Sequence, residues 1–372
     1  MTTPDSRVTL KLTRPNRYTL LYAAFLFLAL CAGAEWLART PFVQQHTPYQ
    51  AYGTNHTQLE IQLTNLEKYA SAYGPPDCFI FGSSQAFREV DTEAFADTFQ
   101  KERGETLHCY NFGITGSQVS TTSILNKILV EKYKPRLVVI ATSFLDYTEG
   151  RELQIDERFK ENDWLQYKTG HFSINGWLLE HSYAWRFVTL ASYAAPFNMH
   201  FIEVLREAHK WDGEIAESGY ALSTVRIDPS EPVDTGFVKN LRQEFGNFGV
   251  SERNLTALEE IISDSQSAGA TVLIAEMIYH PNLLELKDIL GRPRMNPREV
   301  LAFRDQVNGR LQSIAETHRI VFLPFKQDLP IPNDSWYDLY HLNRRGAKFV
   351  SQWLGKAAAQ TLGTLPAGET QP

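Results

Sequence analysis

The chain has 372 residues, 43% hydrophobic and 21% charged, a globular composition that excludes a disordered or disulfide-dense scaffold. Its net charge of −7, with no helix-turn-helix pattern, zinc-finger spacing or Arg/aromatic platform, excludes nucleic acid as a partner. The three cysteines and ten scattered histidines lack metal-ligand spacing, so no metal or other cofactor is expected.

Residues 1–17 hold Arg7, Lys11, Arg14 and Arg17 against Asp5, a balance of +3, and read as a cytoplasmic stub. Tyr18 to Ala34 then runs 17 residues without a charge. As a helix this spans about 25 Å, and Trp36-Leu37-Ala38 extend it past Glu35, so residues 18–38 read as a transmembrane signal anchor. The basic stub predicts an amino terminus in the cytoplasm and a body outside, at the inner membrane of a periplasm-facing protein. Ala32-Gly33-Ala34 also fits a signal-peptide cleavage site, but apolar residues resume after Glu35 and favour an uncleaved anchor. The large Leu30 before Cys31 argues against a lipoprotein site.

Residues 39–74 read as a polar stalk followed by a helix, with Leu59, Leu63, Leu66 and Ala70 at helical spacing. Gly74-Pro75-Pro76 ends that helix. Strands are expected over 77–81, 107–112, 136–142, 270–277 and 319–325, and helices over 85–100, 118–133, 252–268, 296–317 and from Asn343 to about Thr361. This alternation predicts an α/β fold, a flavodoxin-like doubly wound parallel sheet of about five strands. Residues 147–250 interrupt it with four tryptophans, Trp164, Trp177, Trp185 and Trp211. They read as an insertion at the carboxyl edge of the third strand, serving as a lid, a docking surface or extra packing. Residues 363–372 read as a flexible tail. Cys78 and Cys109 fall in expected strands and could be neighbours; a disulfide is permitted outside the cytoplasm, and two buried thiols are the plainer expectation.

A serine hydroxyl needs a base within hydrogen-bond reach, and the base needs an orienting carboxylate. Ser84 lies where the first strand breaks into a helix. Asp338 and His341 lie three apart before the last helix, a spacing that lets the carboxylate hold Nδ1 while Nε2 faces a serine. Arg88, one helical turn past Ser84, reads as an anion-binding residue or a structural ion pair. Asp146 is a candidate pocket acid; Glu276 and His280 flank the fourth strand without an assigned role.

Together these motifs resemble the SGNH (GDSL-like) hydrolase superfamily over residues 77–143 and 252–361. Phe81-Gly82-Ser83-Ser84 is similar to its nucleophile block, with Ser83 in place of the usual Asp. Asn111-Phe112-Gly113-Ile114-Thr115-Gly116 is similar to its Gly block, and Asp338-Leu339-Tyr340-His341 to its last block. The resemblance implies an SGNH-like domain over 75–362, with Ser84 as nucleophile, His341 as base and Asp338 as orienter. It implies an oxyanion hole from Ser84, Gly116 and the Asn-block position, where this chain has Ser143. The chain also resembles the membrane-anchored subset that includes the D-alanyl-lipoteichoic acid transfer protein DltD. That implies an esterase or O-acyltransferase acting through an acyl-serine on a cell-envelope glycan or acylated polymer, beside a membrane-bound O-acyltransferase partner. The alternative is a weak or inactive accessory protein of such a complex, which Ser143 favours and the intact Ser84, Asp338 and His341 oppose.

Overall fold

The computed structural model describes residues 16–149, 159, 161–193, 206, 208–211, 213–227, 249–283, 296–325 and 329–364. Most of the basic stub, parts of the insertion and the tail from residue 365 lie outside the described residues. The apolar segment forms α1, Arg17–Ala38, about 33 Å long at the helical rise. By length and composition it suffices to cross a membrane, and its apolar window is not buried in the protein.

The segment expected as a stalk is instead packed onto the body. After α2, Pro41–His46, the side chains of Tyr49, Ala51 and Tyr52 are buried. The Gln50 N–H donates to Thr64 Oγ1, and the Tyr52 and Thr54 N–H groups donate to Glu60 Oε1 on α3, Thr57–Tyr73. The apolar Tyr49/Ala51/Tyr52 set gains more from burial than from solvation, and the polar residues of α3 supply the acceptors that its backbone needs.

Beyond α3 come β1 (Cys78–Gly82), α4 (Ser84–Glu89), α5 (Thr92–Arg103), β2 (Cys109–Gly113), α6 (Val119–Tyr133) and β3 (Leu137–Thr142). Three helices of the insertion follow, α7 (Asp163–Lys168), α8 (Ile174–His181) and α9 (Tyr183–Tyr193). The chain closes with α10 (Glu252–Ser267), β4 (Thr271–Glu276), α11 (Pro297–His318), β5 (Val321–Leu323) and α12 (Arg344–Thr364). All strand pairs are parallel, in the order β2-β1-β3-β4-β5. This is the flavodoxin-like order, whose ligand crevice lies at the carboxyl ends of β1 and β3. Alternate residues feed two cores: Phe79, Phe81, Val138, Ile140 and Ile274 pack with α3, α6, α10 and α11. Ile80, Val139, Ala141 and Leu273 pack with α4, α5 and α12. Cys78 and Cys109 are register partners on β1 and β2, both buried and both free thiols.

The helix expected over 85–100 is broken in two. Val90 is extended, and Asp91 Oδ1 accepts the Glu93 and Ala94 N–H groups, starting a new helix. An Asp-Thr pair is a strong start signal, and here it overrides a continuous apolar pattern.

The described insertion packs against two regions. Asn162 donates to Tyr52 O, and buried Arg186 donates to the Tyr52 hydroxyl and to Leu179 O, fastening α7–α9 to the linker. Glu35 of α1 accepts the Tyr183 and Ala184 N–H groups and the Ser182 hydroxyl at the start of α9. Residues 213–227 run along the other side. The Asn111 N–H donates to Ser218 O, covering the edge strand β2, and the Ile227 N–H donates to Trp336 O.

Candidate active site

Ser84 is the first residue of α4, immediately past β1. Gly82 makes that turn with φ +153°, and a Cβ there would meet Ala141 O at 2.0 Å. Under α4, a Cβ at Gly113 would meet the Phe87 nitrogen at 2.4 Å, so the helix rests directly on the end of β2. Asn111 holds it there, its Nδ2 donating to Ala86 O at 2.7 Å and Val90 O at 2.8 Å. Because α4 has six residues, its dipole contributes less at Ser84 than a helix reaching residue 100 would give.

Asp338 and His341 lie in a tight loop between the bridged residues Trp336 and Leu342. Asp338 Oδ1 accepts the Tyr340 N–H at 2.7 Å and the His341 N–H at 2.8 Å, which curls the loop back on itself. Asn343 closes it, its Oδ1 accepting the Arg345 N–H at the start of α12. His341 Nδ1 lies 2.8 Å from Asp338 Oδ2, and His341 Nε2 lies 2.7 Å from Ser84 Oγ. The structure thus brings together all three residues expected to act as a unit. Ser84 is 7% exposed, so little of the nucleophile residue meets solvent. Burial pushes the Asp338 carboxyl up, but the His341 charge and the hydrogen bonds from His341 and two backbone N–H groups outweigh it. The net result lies below the usual carboxylate range. Asp338 is therefore ionised and able to stabilise an imidazolium.

The three oxyanion candidates are placed differently. Ser84 offers its backbone N–H at the start of α4. Gly116, with φ +77°, occupies the third position of the 114–117 turn closed by the Ser117 N–H on Ile114 O. That position makes no hydrogen bond within such a turn. Ser143 is fully buried, and its Oγ accepts the Leu145 N–H while Asp146 Oδ2 accepts the Ser143 N–H. The side chain expected as a donor is therefore built into the cap of a 3₁₀ turn, Phe144–Tyr147. Asp146 belongs to the same cap.

Arg88 forms no ion pair among the described residues; its guanidinium stacks 3.9 Å from the Tyr337 ring centroid, whose ring lies edge-on to His341 at 6.5 Å. Glu276 is a buried structural carboxylate, paired with Arg304 at 2.7 Å and accepting the Phe325 N–H. The His280 N–H donates to Leu339 O, so this residue braces the catalytic loop from behind; burial lowers its imidazole pKa.

Two residues that spacing did not single out lie beneath the site. Gln85, fully buried next to the nucleophile, donates from Nε2 to Ile278 O at 2.8 Å and to Tyr340 O at 3.1 Å. It ties the nucleophile helix to the loop that carries His341. Gln85 Nε2 also donates to Glu89 Oε1 at 3.2 Å, its two hydrogens shared among three acceptors. Burial pushes the Glu89 carboxyl well up, against hydrogen bonds from the Ile278 N–H and Gln85, and the nearby Asp338 charge adds to the rise. Among the described residues no cluster of His, Cys, Asp or Glu could hold a metal ion.

No family model matches the chain, and no curated protein does. Among solved structures it is similar to a lipase/acylhydrolase from Enterococcus faecalis, at 11% identity and TM-score 0.36, over 76% of this chain and 95% of that one. It is similar to the esterase EstA from a Pseudoalteromonas species, at 14% identity and TM-score 0.34, over 77% of this chain and 99% of that one. A GDSL-like lipase from Bacteroides thetaiotaomicron is similar at 13% identity and TM-score 0.35, over 80% of this chain and 98% of that one. At these scores the likeness carries no weight, and the geometry of the site stands by itself.

Proposed function

We propose that the chain is a serine-dependent esterase or O-acyltransferase working on the outer side of a membrane. The observation that carries this reading is the hydrogen-bonded series Ser84 Oγ, His341 Nε2, His341 Nδ1, Asp338 Oδ2, with links of 2.7 and 2.8 Å. As Ser84 Oγ attacks an acyl carbonyl carbon, His341 Nε2 takes its proton and Asp338 stabilises the imidazolium. The carbonyl π pair moves onto oxygen, towards the backbone N–H groups of Ser84 and Gly116. The ester C–O bond then breaks, the departing alkoxide takes the proton from Nε2, and the acyl group stays on Ser84. In the second half an incoming hydroxyl gives its proton to Nε2 and attacks the acyl carbon. Ser84 leaves, recovers the proton, and the base is restored. Water as the incoming group gives hydrolysis; an acceptor hydroxyl gives transfer. The resemblance to the SGNH hydrolases supports the same chemistry.

The basic stub and α1 support a single-pass anchor in the cytoplasmic membrane with the body outside. In that setting the substrate is an envelope glycan or acylated polymer, and a membrane-bound O-acyltransferase supplies or receives the acyl group. A second reading, an accessory protein of such an enzyme, is favoured by Ser143, whose hydroxyl serves a cap. A fluorophosphonate probe, which traps only an activated serine, separates the two. Labelling of the native chain and none of Ser84→Ala supports the enzyme; an unlabelled native chain overturns it.

A further inference from the structure

The end of α1 and the corner between α8 and α9 form one surface. Glu35 lies three residues before α1 ends, about 5 Å from that end along the axis. Its carboxylate accepts the first N–H groups of α9, and Arg39 donates to His181 O at 3.1 Å. The corner is thus level with the last turn of α1. Five large apolar side chains point outward among the exposed His171, Asn175 and His181: Phe172 is 74% exposed, Ile174 71%, Phe187 52%, Trp177 44% and Trp185 37%. Trp185 and the start of α8 belong to one patch, because Trp185 Nε1 donates to Asn175 Oδ1 at 2.8 Å. Single exposed apolar residues are ordinary, but five within sixteen positions, beside a helix of membrane-spanning length, are not. Lys168 is paired with Glu180 at 2.9 Å and Arg39 with Glu35 at 2.6 Å, so the cations at this corner are already met by carboxylates.

We propose that this corner is seated in the outer face of the phospholipid bilayer that α1 crosses. Trp177 and Trp185 lie at the headgroup boundary, with Phe172, Ile174 and Phe187 reaching the upper acyl chains. The reasons are the continuity with α1, the depth set by Glu35, and the Trp/Phe composition typical of membrane interfaces. Arg186 and Asn162 lock the same helices to Tyr52, so the seat fixes how the body stands on the membrane. The proposal rests on the reading of α1 as a membrane span, and the test separates the two.

The full-length chain is placed in phosphatidylcholine nanodiscs with acyl chains brominated near the headgroup or unbrominated. The emission of Trp177 and Trp185 is obtained by difference from Trp177→Phe/Trp185→Phe, and that of Trp36 from Trp36→Phe. The expected result is loss of the Trp177/Trp185 emission in brominated discs only, unchanged by added salt. Quenching of Trp36 alone overturns the seat and leaves the anchor standing. Quenching of neither overturns both. Shielding of the pair only after a second membrane protein is added to the discs overturns the lipid seat in favour of a protein one.

Discussion

Removing the Ser84 hydroxyl deletes the atom that would carry the acyl group, so Ser84→Ala is expected to lower turnover on the order of 10⁶-fold while the fold persists. Asp338→Asn keeps an oxygen for the Tyr340 and His341 N–H groups but turns an N–H towards Nδ1. The ring is then held in the wrong tautomer, and a loss of about 10⁴-fold is expected. Both are read as single-turnover acylation with an activated ester. Ser143→Ala probes the cap. It should lower stability by about 1 kcal/mol through the lost Leu145 contact, with turnover changed less than about threefold. A hundredfold loss of turnover with unchanged melting would show instead that the hydroxyl serves the oxyanion. At this scale the sequence was informative where chemistry demands a spacing. Asp338 and His341 were legible because three residues is the distance over which a curled loop joins carboxylate to ring. Gln85 and Glu89 were not, because a buried amide or carboxyl that braces a helix has partners far along the chain and no local pattern.

Among the elements, β1 and α4 meet at the tightest point of the molecule. Gly82→Ala would push a methyl into the main-chain oxygen of Ala141 on the neighbouring strand, which has no room to retreat. The expected cost is at least about 3 kcal/mol, seen as a lower denaturation midpoint, together with lost labelling of Ser84. The strands were readable because most are short, largely apolar runs, as a sheet covered twice requires. The break between α4 and α5 was hidden by the apolar pattern on either side, although Asp91-Thr92 is a start signal of the standard type. The segment expected as a stalk differs from its expectation for another reason. Its polar average conceals Tyr49, Ala51 and Tyr52, whose burial depends on α3 and on Arg186 far along the chain.

In the whole molecule, the linker, α3 and α9 converge on one carboxyl. Glu60 Oε1 accepts from the Tyr52 and Thr54 N–H groups, the Thr54 hydroxyl and the Tyr193 hydroxyl. Burial nevertheless pushes its pKa up to about 7, the four hydrogen bonds opposing it only in part. A carboxyl raised in the folded state stabilises fully below its unfolded pKa, and that stability is lost as pH rises through about 7. The loss is at most roughly 3 kcal/mol, and Glu60→Gln should flatten it, measured as the fall in melting temperature between pH 5 and pH 8. A slope unchanged in Glu60→Gln would assign the titration elsewhere.

The two ends of the candidate active site are 257 residues apart. Ser84 is made long before His341, with α5 to α11 lying between them in the chain. A partly made chain therefore carries a hydroxyl with no base beside it. Any fragment that stops short of residue 338 lacks both the base and its orienting carboxylate, so under the proposed reading the hydroxyl stays unarmed until the last layer of the fold has closed.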